Sequence, residues 1–136
     1  MGAGVEAARL SLNTATVSKQ WTLAQCIEGC ARHGLGGIAP WRDKLHEMGV
    51  TAAARAIRDT GLAVSGLCRG GWFTEQGALT QAVLDDNRRA VDEAAELGAA
   101  CLVMVVGGLA KGSRDLAAAR AVVEEGLART MDYARG

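Results

Sequence analysis

Two arginines, two tryptophans and a glycine pair stand where short apolar runs end. Trp41 and Arg42 follow Gly37-Ile38-Ala39-Pro40, Arg69 and Trp72 follow Leu62–Cys68, and Gly107-Gly108 follow Cys101–Val106. In parallel α/β proteins, ligands sit at the carboxyl ends of the strands. That rule selects these residues, together with Asn13, Phe73 and Lys111, as candidates for binding. An arginine fork grips a carboxylate or phosphate at two points, an indole covers the apolar face of a sugar ring, and paired glycines let a ligand approach the backbone closely. The set suits a polyhydroxylated ligand that carries an anionic group. The plainer alternative pairs the arginines with Asp43 or Glu75 and uses the indoles to plug the rim.

Other groupings are weaker. Cys26, Cys30 and His33 have three and two residues between them, like metal ligands. On a helix they share a face with Ile27, however, and a structural zinc site needs a closed tetrahedral set that lacks a fourth member here. His33 is better placed at a helix C-terminus, which favours a partly charged imidazole. His46 with Glu47 falls in a loop or first helical turn, where the imidazole could exchange protons near neutrality or simply be solvated. Asp85-Asp86-Asn87-Arg88-Arg89 reads as a solvated helix start. Gly107 to Ser113 lacks the G-x-x-x-x-G-K-[ST] spacing of a phosphate loop.

The elements that must position these residues alternate. Leu10–Asn13 is a short strand, and Thr22 with Gln25 forms a capping box ahead of a helix carrying Leu23, Cys26, Ile27 and Cys30 and stopped by Gly34. A second strand at Gly37–Ala39 meets Pro40, which cannot continue a central ladder. A helix from Thr51 ends before Gly61, a third strand spans Leu62–Cys68, and a loop runs from Arg69 to about Leu79. The third helix carries Leu84, Asn87, Val91, Ala94 and Ala95 up to Gly98, with Asp85 and Asp86 in its first turn favouring the positive dipole end. Cys101–Val106 reads as a strand buried on both faces. Ser113 caps a last helix with an inward stripe of Leu116, Ala119, Val123, Leu127 and Met131.

Strands alternating with helices make parallel sheets, and the pattern leaves two architectures open, an open four-stranded sheet or half of a barrel. A closed barrel of eight such units needs about 250 residues, and this chain has 136. It is expected to be one domain that ends before a fifth strand. The composition, 49% hydrophobic and 22% charged, is that of an ordinary soluble globular protein. Fifteen basic and fifteen acidic residues cancel, so no global field draws the chain to nucleic acid or an anionic membrane. The longest apolar run is too short for a bilayer. No leader is legible before Arg9, so a cytoplasmic location is expected. The four cysteines, Cys26, Cys30, Cys68 and Cys101, are expected as free core thiols.

Several blocks together carry a resemblance. Leu10–Thr16, Gly37–Asp43, Gly66–Gly71, Asp85–Ala90, Val105–Leu109 and Gly112–Leu116 resemble the sugar phosphate isomerase/epimerase family, within the xylose isomerase-like TIM barrel superfamily. The resemblance spans essentially the whole chain, in order. It implies a (βα)4 half of a (β/α)8 barrel, with parallel strands and outer helices. It also implies metal-dependent isomerisation or epimerisation of a small sugar or hydroxy-carbonyl compound. In that family a divalent metal acts as Lewis acid and template, but its Glu, Asp and His ligands come from later strands. None can be carried over, no catalytic residue is assigned, and this chain alone is expected to bind no metal. Trp41, Arg42, Arg69, Gly107 and Gly108 are carried over as the substrate-side wall. The expectation is an inactive half with a sugar-like ligand, no nucleic acid or membrane partner, and a homodimer or a complementing half-barrel. The alternative is a non-catalytic half-barrel that binds a sugar-like ligand or self-associates.

Overall fold

The computed structural model describes residues 4–136; the reading of the chain start as free of a leader falls partly on residues 1–3, outside them. Among the described residues the strands and α-helices follow in the order β1 (Ser11–Asn13), α1 (Leu23–Arg32), β2 (Gly37–Ala39), α2 (Arg42–Met48), α3 (Val50–Thr60), β3 (Ala63–Val64), β4 (Leu67–Gly71), α4 (Gln81–Leu97), β5 (Leu102–Val105) and α5 (Leu116–Arg135). Strands β1, β2 and β3 form one sheet in that order, and β4 and β5 form another. Both pairings in the first sheet are parallel, with Leu12 opposite Ile38 and Ile38 opposite Val64. The contacts divide the chain into two compact units. The first runs to Cys68 and takes in Glu93–Leu102; the second comprises Arg69–Asp92 and Val103–Gly136.

In the first unit the expected signals act as read. The Thr22 hydroxyl accepts from the Gln25 amide while Gln25 Oε1 accepts from the Thr22 amide, which satisfies two of the donors a helix start leaves open. Leu23, Cys26, Ile27 and Cys30 are buried and join Ile38, Leu45, Ala53, Ile57, Val64 and Leu67 in one core. The segment after Pro40 differs from expectation. It forms α2 rather than a loop, because Leu45 is fully buried and its amide bonds back to the Trp41 carbonyl. Gly49, at φ 92°, then separates α2 from α3. His46 and Glu47 therefore lie on a helix. The expected third strand is interrupted at Ser65-Gly66 and extends further, to Gly71.

The second unit is built on Phe73, which has no exposed surface. Helix α4 starts at Gln81, with the Thr80 hydroxyl accepting from the Val83 amide, so Asp85 and Asp86 lie beyond its first turn. Asp115, rather than Ser113, caps α5 by accepting from the Ala118 amide; Ser113 accepts from the Asp115 amide instead. The inward face of α5 is also rotated from the expected stripe. Gly126 and Thr130 are buried, whereas Leu116 and Met131 are about half exposed, at 52% and 51%. Strand β5 is not covered on both faces: none of its residues is buried.

None of the four cysteines is in a disulfide, but not all are core. Cys26 and Cys30 are buried, Cys68 is half-buried and Cys101 is exposed. Burial pushes the Cys26 thiol up, with nearby Cys30 adding to the shift and Lys44 opposing it, and burial does the same to Cys30. A raised folded-state value means stabilisation present below the unfolded thiol pKa and lost as pH rises through the folded one. It also keeps the nucleophilic thiolate scarce. A thiol reagent under native conditions is expected to label Cys101 first and to reach Cys26 and Cys30 only with unfolding. Mass spectrometry of partially labelled protein checks this; early label on Cys26 would contradict it.

Candidate functional site

In the second unit the ends of β4 and β5 gather a polar and aromatic group. Gly71 closes β4, and its amide donates to Asn87 Oδ1 at 2.7 Å while its carbonyl accepts from Asn87 Nδ2 at 2.9 Å. Asn87 is thus buried, at 1% exposure, where the sequence read as a solvated helix start. The next residue, Trp72, has φ 55°, a left-handed conformation that a bulky side chain rarely adopts. Its amide donates to the Val105 carbonyl at 2.7 Å, so sheet pairing holds the unfavourable backbone in place. Such held outliers concentrate at functional sites.

The turned-out indole carries Arg69, whose guanidinium carbon lies 4.2 Å from the ring centroid, within cation–π range. Opposite, Gly107 sits at φ 97°, and a Cβ there would fall 2.6 Å from Thr74 Oγ1 and 3.7 Å from the Trp72 ring. That approach is why this position takes glycine. The buried Thr74 hydroxyl donates to the Gly108 carbonyl at 2.5 Å, fixing the pair against the end of β4. Arg69, Trp72, Thr74, Gly107 and Gly108 are therefore one group. The sequence named all but Thr74, whose only signal was its place two residues beyond Trp72.

The first unit holds Trp41 and Arg42. The Trp41 amide donates to the buried Thr14 hydroxyl at 2.9 Å, and its backbone bridges in parallel to Cys68. Its indole Nε1 is buried with no hydrogen-bond partner among the described residues, a condition that costs free energy unless something accepts from it. Arg42 is buried, at 9% exposure. Its Nε donates to Glu93 Oε2 at 2.6 Å, while Glu93 Oε1 lies 2.6 Å from His46 Nε2. Arg42 thus bonds to a carboxylate of α4, and His46 is hydrogen-bonded rather than merely solvated. Glu93, 51 residues from Arg42, left no local signal. Asn13 accepts from the Ala15 amide, and Lys111 is exposed. Among the described residues no three His, Cys, Asp or Glu side chains are placed to hold a metal, and no helix is long and apolar enough to cross a membrane.

Comparison with known proteins places this geometry in a family. A protein of Sinorhizobium meliloti 1021 with a known crystal structure is 47% identical and superposes with a TM-score of 0.88, over 96% of this chain and 48% of that one. A xylose isomerase-like TIM barrel/4-hydroxyphenylpyruvate dioxygenase fusion protein is 23% identical, with a TM-score of 0.65 over 88% of this chain and 20% of that one; that likeness concerns the fold alone. The chain thus spans about half the length of the first of these structures or less. No curated protein matches it. The family model for the xylose isomerase-like TIM barrel matches residues 27–136. With its parallel strands and alternating helices, the chain belongs to the xylose isomerase-like TIM barrel family, of which it forms a partial barrel.

Proposed function

We propose that the chain is the substrate-binding part of a sugar phosphate isomerase/epimerase-like protein acting on a small sugar or related hydroxy-carbonyl compound. The observation that carries this reading is the Arg69–Trp72–Thr74–Gly107 group at the ends of β4 and β5. A cation stacked on an indole beside open glycine backbone offers an anion grip, an apolar face for a sugar ring and close approach to backbone groups. Taken by itself, the first unit holds a buried Trp41 indole N–H with no acceptor among the described residues and an Arg42 bonded to Glu93. Moving a proton or hydride between adjacent carbons requires groups this reading does not find here. The divalent metal implied by the resemblance has no donor set among the described residues, so no step is assigned through one. Activity of the whole protein, in a soluble cytoplasmic setting, belongs to the same proposal.

The test is binding of a ketose phosphate and of the matching unphosphorylated sugar, followed by tryptophan fluorescence and calorimetry. Arg69→Ala is expected to weaken the phosphate ligand about tenfold, roughly 1.4 kcal/mol, and to leave the neutral sugar little changed. If neither ligand binds, or Arg69→Ala weakens both equally, the reading fails. Turnover measured with added magnesium or manganese separates the second reading, a non-catalytic binder of the same ligand. Isomerisation by this chain alone would exclude it.

A further inference from the structure

The amide of buried Asn87 makes three hydrogen bonds, two of them to one residue. Oδ1 accepts from the Gly71 amide, and Nδ2 donates to the Gly71 carbonyl and, at 2.8 Å, to the Val83 carbonyl. Among side chains of this length only asparagine supplies an acceptor and two donors. The need for them arises at the end of β4. Successive residues of a regular strand face opposite ways, yet the consecutive amides of Trp72 and Phe73 donate to the consecutive carbonyls of Val105 and Val106. Such a bulge-like step leaves one residue outside the regular ladder and re-aims the side chain beside it. Gly71 stands at that step with φ 108°, where a Cβ would collide with the Val105 carbonyl. Trp72 is the side chain re-aimed.

We infer that Asn87 is a positioning residue for ligand binding. By taking up both backbone groups of Gly71 it holds the step that presents the Trp72 indole with Arg69 stacked on it. The inference rests on the ligand reading proposed above and adds to it a residue that touches no ligand. Its signature differs from that of Arg69. Loss of the arginine removes the anion grip alone, whereas loss of Asn87 displaces guanidinium and indole together. An anionic and a neutral sugar are then both affected, because supporting hydrogen bonds set the geometry of the groups that meet the ligand.

The experiment compares Asn87→Ala with Thr80→Ala, which removes the hydroxyl that accepts from the Val83 amide at the start of α4 and leaves Asn87 in place. In Asn87→Ala the ketose phosphate is expected to bind about tenfold more weakly and the unphosphorylated sugar about threefold, with Thr80→Ala little changed in either. Amide hydrogen exchange, followed by NMR without ligand, is expected to speed up in Asn87→Ala at Trp72 as well as at Gly71, although the Trp72 amide bonds to Val105 and not to Asn87. Circular dichroism confirms that α4 is retained. Should Asn87→Ala fail to fold, Asn87→Asp carries the same comparison, since it keeps the acceptor for the Gly71 amide and removes the donor to the Gly71 carbonyl. Exchange at Trp72 as slow as in the parent, or equal weakening by Thr80→Ala, would overturn the assignment. If the parent binds neither sugar, the ligand reading fails by itself, and the exchange at Trp72 still decides whether Asn87 holds the step.

Discussion

Replacing Glu93 with alanine is expected to cost about 3–5 kcal/mol, the range for removing one partner of a buried ion pair. The carboxylate is 6% exposed and the Arg42 side chain 10% exposed, with 2.6 Å between Nε and Oε2. The substitution removes one acceptor of Arg42 and, at the other oxygen, the partner of His46. Both side chains of the pair are buried, which is why the loss is expected to exceed that for an exposed pair, typically under about 1 kcal/mol. Thermal and urea unfolding measure it, with the melting temperature expected to fall on the order of 10 °C. His46→Ala serves as the internal contrast: the imidazole is 45% exposed, so its removal is expected to cost less than about 1 kcal/mol. Equal losses for the two variants would show that the buried Arg42–Glu93 pair contributes no more than the exposed imidazole contact.

The second large effect is expected at Phe73 and Gly126. Phe73→Ala empties a fully buried site, for which about 3–5 kcal/mol is usual. Gly126→Ala acts from the opposite side of the same contact. Alanine in a helix interior gains about 1 kcal/mol over glycine, but here its Cβ would fall 2.6 Å from the Phe73 ring carbon Cγ. Overpacking costs about 1–3 kcal/mol and is expected to win. Combining Gly126→Ala with Phe73→Leu should recover part of the loss, because residues in contact couple by about 0.5–3 kcal/mol. Strict additivity in denaturant unfolding would mean that the ring moves aside freely.

What the sequence made legible was local. The Thr22–Gln25 capping box, the buried stripe of α1 and the Gly34 and Gly61 stops each arise within a few residues, and they appear as read. Helix α2 was missed because Pro40-Trp41 suggested a loop, while the buried contact of Leu45 that stabilises the helix is tertiary. The face of α5 was misplaced for a related reason. A helical stripe is read from large apolar residues, but close packing on Phe73 requires the smallest one, Gly126. Within the candidate group, Arg69, Trp72 and the glycine pair were visible because strand ends can be located from hydrophobic runs. Asn87 and Thr74 were not, nor was Glu93 in the first unit, since their partners lie many residues away in the chain.

The amide clamp of Asn87 on Gly71 has a consequence for the order in which the chain assembles. The last residue of β4 receives its hydrogen bonds from a side chain 16 positions later, which also donates to the Val83 carbonyl within α4. The left-handed backbone of Trp72 directly follows that clamp. The backbone at this rim is therefore expected to reach its final form only once α4 is in place, because the acceptor and donor it needs sit on that helix. The aromatic platform is thus tied to a helix it does not belong to.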